Sequence, residues 1–357
     1  MNILFMIKNK NFLDAFKFKE ISDVIYAETI PANDFQKLNK SKVKNVWELF
    51  LEEHRSIKYK LLEFKIYKNS TIFCDTELLN DLFLQLSKVD SNFDLNLITH
   101  QSDEMIDSMM FNKKPDCVKK WYSINVETHN KNLHPLPMGL AGSYSKKNLH
   151  SKDFPDLNPN KFFNKKSVNL YINFQVNTNF KERAPLLKTF KNKDWANIDP
   201  PNNSKSKYLE KLQKHTFVLC PWGNGVDSHR IWETLYAGSI PVVKYHQTFS
   251  NLRSLPIFFV DKYEEVNKDN LTNWYKNNDI SNFDIQKLDS SWWEKELNKK
   301  VVKNDFILLS ETDEETNLLS KMYTKKVLNR AKLNKIKTLE RRILKFFFYR
   351  FLLKKNI

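Results

Sequence analysis

Lys214 to Val243 reads KHTFVLCPWGNGVDSHRIWETLYAGSIPVV, and three of the five glycines in the whole chain (Gly223, Gly225, Gly238) fall inside it. Thr216 to Cys220 is an apolar run without alternation, the pattern of a strand buried on both faces. Pro221 stops it. Trp222-Gly223-Asn224-Gly225 reads as a turn in which two glycines can take φ > 0 and aim backbone N–H groups at one spot, the geometry of an anion cradle. Asp227 or Ser228 is a candidate N-cap, His229 to Ala237 reads as a helix with Ile231 and Leu235 on one face, and Gly238 is its stop. Ser239 to Lys244 returns as a second apolar strand.

Strand, loop, helix, strand sets the positive end of a helix beside the cradle, where it favours a phosphate. Arg230 and Glu233 share a face at i, i+3: a guanidinium fork for phosphate and a carboxylate for a ribose diol. The helix end alone contributes about 0.3–1 kcal/mol, up to about 2 when partly buried. Charge-assisted hydrogen bonds of roughly 1.5–3 kcal/mol each would therefore carry most of the binding. The bland alternative is an ordinary βαβ unit with a salt-bridged helix. It leaves Gly-Asn-Gly, Asp, His, Arg and Glu crowded between residues 223 and 233 without a purpose. A nicotinamide-binding oxidoreductase is the other reading of Gly223-x-Gly225. It is weakened by Ser228 at the third glycine position and by a following strand that ends on Lys244 without an acid.

The stretch FVLCPWGNGVDSHRIWETLYAGSIPVV resembles the nucleotide-sugar-binding motif of exostosin-like glycosyltransferases and, more distantly, a segment of bacterial fucosyltransferases. LITHQSD (Leu97 to Asp103), WYSINVETHNKNLHPLPMGL (Trp121 to Leu140) and LYINFQVNTNFKER (Leu170 to Arg183) resemble further parts of the same family. The resemblance implies an α/β chain of GT-B type, two Rossmann-like domains with parallel sheets facing a cleft and the donor held mainly by the second. Residues 1–150 would form the acceptor-side domain, 151–167 a linker and 168–300 the nucleotide-sugar domain. Residues 301–357 would be C-terminal helices ending in a basic tail.

It implies a donor site built of Arg183, Gly223, Asn224, Gly225, Asp227, Ser228, His229, Arg230 and Glu233, with Arg183 helping to neutralise the diphosphate. The arginines and the helix end replace a metal, and no cofactor is expected besides the nucleotide-sugar itself. The implied reaction moves a hexosyl or pentosyl group, with inversion, to a hydroxyl of a glycan or lipid-linked glycan in surface polysaccharide or glycoconjugate synthesis. It needs a base from the first domain. Asp103 and His100 sit where the strand Phe93 to Ile98 should end, and Glu127 and His129 are the reserves.

Elsewhere the chain is plain. Thr71 to Cys74 and Trp121 to Asn125 read as strands, Glu77 to Leu86 as an amphipathic helix, and Val46 to Phe64 as a further helix-like segment. Ser143 to Ser167 has linker composition. Cys74, Cys117 and Cys220 have no paired spacing, so neither a disulfide framework nor a zinc site is indicated and a reducing compartment is expected.

The short apolar start MNILFMIKNK is no anchor, and eukaryotic exostosins usually carry one, so a bacterial or viral cytoplasmic enzyme is expected. The net charge is +16, but Lys321 to Ile357 holds thirteen Lys or Arg against the single Glu340. That leaves the rest of the chain near balance and argues against a nucleic-acid-binding protein. Val327 to Ile357 reads as a basic helix attracted to an anionic membrane, so the enzyme is expected at the inner membrane face.

Overall fold

In the computed structural model, which describes residues 6–51, 54–142, 145–165, 167–297, 300–319 and 321, the apolar runs are gathered into two sheets of mainly parallel strands. The first half runs α1 (Ala15–Ile21), β1 (Val24–Pro31), α2 (Ala32–Gln36), β2 (Val43–Leu51), β3 (His54–Leu61), β4 (Glu63–Lys68), β5 (Thr71–Asp75), α3 (Leu79–Leu86), β6 (Leu95–His100), α4 (Ser108–Phe111), β7 (Val118–Ser123) and β8 (Leu133–Pro135). Its sheet has the order β2-β3-β1-β5-β6-β7-β8. From β1 to β8 neighbours are parallel, and β3 and β2 add antiparallel strands at one edge.

The second half runs β9 (Leu170–Ile172), α5 (Phe180–Phe190), β10 (Ala196–Ile198), α6 (Lys205–Lys214), β11 (Phe217–Leu219), α7 (His229–Tyr236), β12 (Ile240–Lys244) and β13 (Phe258–Val260). Its sheet is parallel throughout, in the order β10-β9-β11-β12-β13. Helices α8 (Lys268–Lys276) and α9 (Ser290–Leu297) follow, and β14 (Val302–Ser310) returns to pair antiparallel with β4. Both parallel sheets, with helices between their strands, are compatible with Rossmann-like units.

One hydrophobic cluster runs through both halves, from Phe73, Ile98 and Tyr122 to Phe217, Val218 and Trp232. The N-terminal segment helps to join them. Phe12 stacks on Tyr236 of α7 at 3.9 Å, the Leu13 N–H donates to the Tyr236 hydroxyl, and that hydroxyl donates to the Leu288 carbonyl. Trp293 of α9 is buried edge-to-face against Phe18.

Three expectations are corrected. Val46 to Phe64 is not helical but spans β2, β3 and the start of β4. In β3, Ile57 and Tyr59 face an apolar cluster with Ile30 and Phe35, while the buried Lys58 and Lys60 alternate to the other face. There Lys58 pairs with Asp75 and Glu77, and Lys60 with Asp81 and Glu311. The acids that make this strand tolerable are far away in sequence, so local periodicity could not show it.

The expected linker is also more than a linker. Leu149, Phe154, Leu157 and Phe162 are all at most 2% exposed and belong to the core. Residues 301 onward, expected helical, open on β14 instead. The basic helix expected from Val327 lies outside the described residues.

Candidate functional site

Pro221 ends β11, and the following bend is held from below by the first turn of α5. Arg183 is 4% exposed. Its Nε donates to the Trp222 carbonyl at 2.8 Å, Nη1 to the Gln175 carbonyl at 2.8 Å and to the Thr178 hydroxyl, and Nη2 to the Pro221 carbonyl at 2.9 Å. Burial, with the Arg230 charge adding to it, pushes the guanidinium down to about 10, still well above neutrality. Arg183 thus leaves a positive charge under the bend, but its donors tie the bend at Pro221 and Trp222 to the Gln175–Thr178 segment and do not point outward as a phosphate fork.

The neighbouring Glu182 accepts from the Trp222 N–H at 3.0 Å and pairs with Lys244, whose ammonium lies 3.9 Å from the Trp222 ring centroid. Nothing in the sequence pattern singled out this clamp of Glu182, Trp222 and Lys244.

The bend differs from a simple N–H cradle. Neither Gly223 nor Gly225 has positive φ, and the Gly223 N–H is taken by the Gly225 carbonyl at 3.0 Å. Glycine is required at 225 by close approach: a Cβ there would stand 3.2 Å from the Asn125 amide and 3.4 Å from Asp103 Oδ1. Gly238, by contrast, stops α7 at φ +74, as the sequence suggests. Asn224 is exposed at the tip. Ser228 takes the N-cap position, yet its hydroxyl makes no cap bond. Ser228 Oγ and Arg230 Nε are buried polar atoms with no hydrogen-bond partner, both at the start of α7.

Three other motif residues turn toward the protein. The Asp227 carboxylate is 2% exposed and accepts from the Met138 N–H at 2.8 Å and from Trp232 Nε1 at 3.0 Å. His229 Nδ1 lies 2.9 Å from the Gly139 carbonyl, to which it donates. Glu233, 3% exposed, accepts from the Leu149 N–H and Asn148 Nδ2 on one oxygen and from the Tyr208 hydroxyl on the other. The geometry therefore gives Asp227 and His229 the task of fastening α7 to the Pro135–Leu140 segment. Glu233 fastens it to residues 148–149, in place of the ribose contact expected for it.

From the first sheet, β6 and β7 deliver their carboxyl ends to this bend. Gln101 and Asn125, just beyond them, both have positive φ (64 and 53), a strain that non-glycine residues adopt where surrounding contacts over-determine them. Asn125 Nδ2 donates to the Ser102 carbonyl, and Asn125 Oδ1 accepts the Asp227 N–H, each at 3.3 Å. Asn125 is thus the bridge that sets exposed Asp103 beside Gly225. Its signal in the sequence was faint: a polar residue at a strand end, of the type that tolerates left-handed backbone.

His100 does not join Asp103. It is 2% exposed and stacked near Phe18, and its Nδ1 accepts the Gln101 N–H. Burial, assisted by His229, pushes it down to about 3. The base role expected of His100 is therefore withdrawn, because a buried neutral imidazole with Nδ1 occupied has no lone pair to offer a substrate. Glu127 and His129 are exposed and lie toward another segment, next to His246 and Gln247. Among the described residues no group of three or more His, Cys, Asp or Glu side chains could hold a metal ion, and Cys74, Cys117 and Cys220 are free and buried.

Two buried titratable groups, Asp227 and His100, make a pH prediction. Burial pushes the Asp227 carboxyl up to about 7, against the hydrogen bonds from Met138, Trp232 and Ser228. An acid so raised keeps its proton in the folded protein while the unfolded chain has lost it, so its contribution falls as pH rises from about 4 to 7. His100 works in the opposite sense, and its contribution is lost as pH falls from about 6.5 toward 3. Asp227→Asn removes the first slope and leaves the second. Relative to the parent, this variant should be more stable at about pH 8 than at about pH 5, by on the order of 3 kcal/mol. Urea unfolding at both pH values measures the difference; parallel curves would mean that Asp227 is ionised throughout.

A family model described as the RXYLT1 C-terminal domain matches residues 164–255. That span carries β9, α5, the 221–228 bend and α7, together with Arg183 and every donor-site residue expected above. No curated protein matches the chain. The family match does not show the more distant likeness to bacterial fucosyltransferases. No described helix is long and apolar enough to cross a membrane. The segment that builds the bend is thus similar to a domain of exostosin-like glycosyltransferases, and the match supports a glycosyltransferase.

Proposed function

We propose that the protein transfers a sugar, with inversion and without a metal, from a nucleotide-sugar to a hydroxyl of a glycan or lipid-linked glycan, its two parallel sheets serving as the halves of a GT-B enzyme. The observation that carries this reading is the pair of partnerless buried polar atoms, Ser228 Oγ and Arg230 Nε, at the positive end of α7 and beside a bend that Asp103 faces from the other sheet. Buried polar atoms nearly all find a protein or water partner; of the seven with no hydrogen-bond partner among the described residues, these two share one helix turn beside the bend, which favours a ligand there.

The diphosphate lies on that turn, held by Ser228 and Arg230 within the field of buried Arg183. Arg230 rests against Tyr208 and Glu233, so its guanidinium is positioned before the donor arrives. As the glycosidic bond breaks, these fixed charges stabilise the leaving diphosphate without reorganisation. Asp103, presented across Gly225, takes the proton of the acceptor hydroxyl as it attacks the anomeric carbon.

A thermal-shift screen against UDP-, GDP- and CMP-sugars tests donor binding, and a protein that shifts with none of them nor with the free diphosphates has another function. Ser228→Ala refines the test. Since Ser228 Oγ bonds nothing in the protein, its loss should leave the melting temperature nearly unchanged yet weaken the responding nucleotide about tenfold, the value of one hydrogen bond of roughly 1.4 kcal/mol. Unchanged affinity would place the diphosphate elsewhere.

A further inference from the structure

Strands β4 and β14 pair with each other and with neither parallel sheet. Their ribbon buries one face, where Phe64, Ile66 and Leu309 are at most 5% exposed. Phe306 and Leu308, by contrast, are 51% and 59% exposed, and Val302 at the start of the strand is 41% exposed. The register sets Phe306 opposite Tyr67 and Leu308 opposite Lys65. The Lys65 ammonium lies 3.4 Å from the Phe306 ring centroid and 5.1 Å from that of Tyr67. The result is a stripe of aromatic and aliphatic side chains crossed by a lysine. Lys65, Lys300 and Lys303 are exposed around it against exposed Asp305, while Glu63 is already paired with Lys42.

We propose that this stripe docks on an anionic lipid bilayer. Phe306 and Leu308 would enter the boundary between headgroups and acyl chains, while the lysines, their stems along the apolar surface, reach the lipid phosphates. Two features select this occupant. The surrounding charge is positive, so a second copy of the stripe would be repelled while an anionic surface is attracted. Eleven residues after Ser310 the sequence enters Lys321 to Ile357, with thirteen basic residues, one acid and the run ILKFFFYRFLL from Ile343 to Leu353, the same pairing of apolar and basic groups. Surface binding that lasts generally takes two such signals, and the ribbon supplies the one built into the fold.

The test is flotation of the full chain with phosphatidylcholine vesicles, with and without phosphatidylglycerol. Binding is expected only with the anionic lipid, to weaken with salt, and to fall at least about tenfold in Phe306→Ser/Leu308→Ser. Both side chains are largely in water, so the double variant should melt with the parent. Because the three native cysteines are buried, Leu308→Cys can carry a single environment-sensitive fluorophore. Its emission should shift to the blue when anionic vesicles are added and not before. Parental vesicle affinity in the double variant would overturn the proposal. So would a label already in an apolar setting without lipid, meaning that the chain's own C-terminal segment covers the stripe, or a dimer in solution that the double substitution dissolves.

Discussion

Asp103→Asn should lower sugar transfer by about 10²- to 10⁴-fold, the usual contribution of a positioned general base, while leaving donor affinity and melting temperature almost unchanged. The carboxylate is exposed and the left-handed backbone at Gln101 and Asn125 helps to set it beside Gly225, so an isosteric amide keeps the shape and removes the charge and the basicity. The measurement is turnover of whichever nucleotide-sugar gives the largest thermal shift, read together with that shift. A variant with parental turnover would remove Asp103 from the reaction and turn attention to Glu127, the exposed acid near His246. A variant that no longer binds donor would make Asp103 part of the donor site.

Arg183→Ala should cost about 3–5 kcal/mol of stability and abolish donor binding together. The guanidinium holds the carbonyls of Gln175, Pro221 and Trp222 as well as the Thr178 hydroxyl. Its removal strands several buried acceptors at about 1–3 kcal/mol each, partly relieved by water. With those bonds gone the bend is free to move, and the start of α7 loses the charge beneath it. Arg183→Lys should rescue little, since one ammonium cannot span acceptors that a planar fork reaches from three nitrogens. Chemical unfolding and nucleotide binding decide the matter. A stable alanine variant that binds no donor would return Arg183 to the direct phosphate contact first expected of it, and a stable variant that still binds would leave it no role in the site.

Much of the local structure was legible. The strand before Pro221, the helix from His229, its stop at Gly238 and the strand through Lys244 appear within a residue or two of where composition and periodicity put them, because each is determined by neighbours in the chain. The same holds for the strand Thr71–Asp75 and for the helix Leu79–Leu86. The segment before β5 was not legible, since β3 carries two lysines inward that only Asp75, Glu77, Asp81 and Glu311 make acceptable.

The candidate site divides in the same way. That residues 221–233 form a glycine-bearing bend feeding a helix, and that an acid stands at the end of a first-sheet strand, follow from the sequence alone. Which of the motif's polar groups face a ligand was decided only by tertiary structure. Asp227 meets Met138, His229 meets Gly139, and Glu233 meets Asn148 and Leu149, partners 84 to 90 positions away, whereas Ser228 and Arg230 each keep a buried polar atom unbonded. The reason is physical: backbone conformation is governed by the next few residues, but a polar side chain turns toward whichever unsatisfied group the folded chain brings within about 3 Å, and spacing along the sequence does not encode that group.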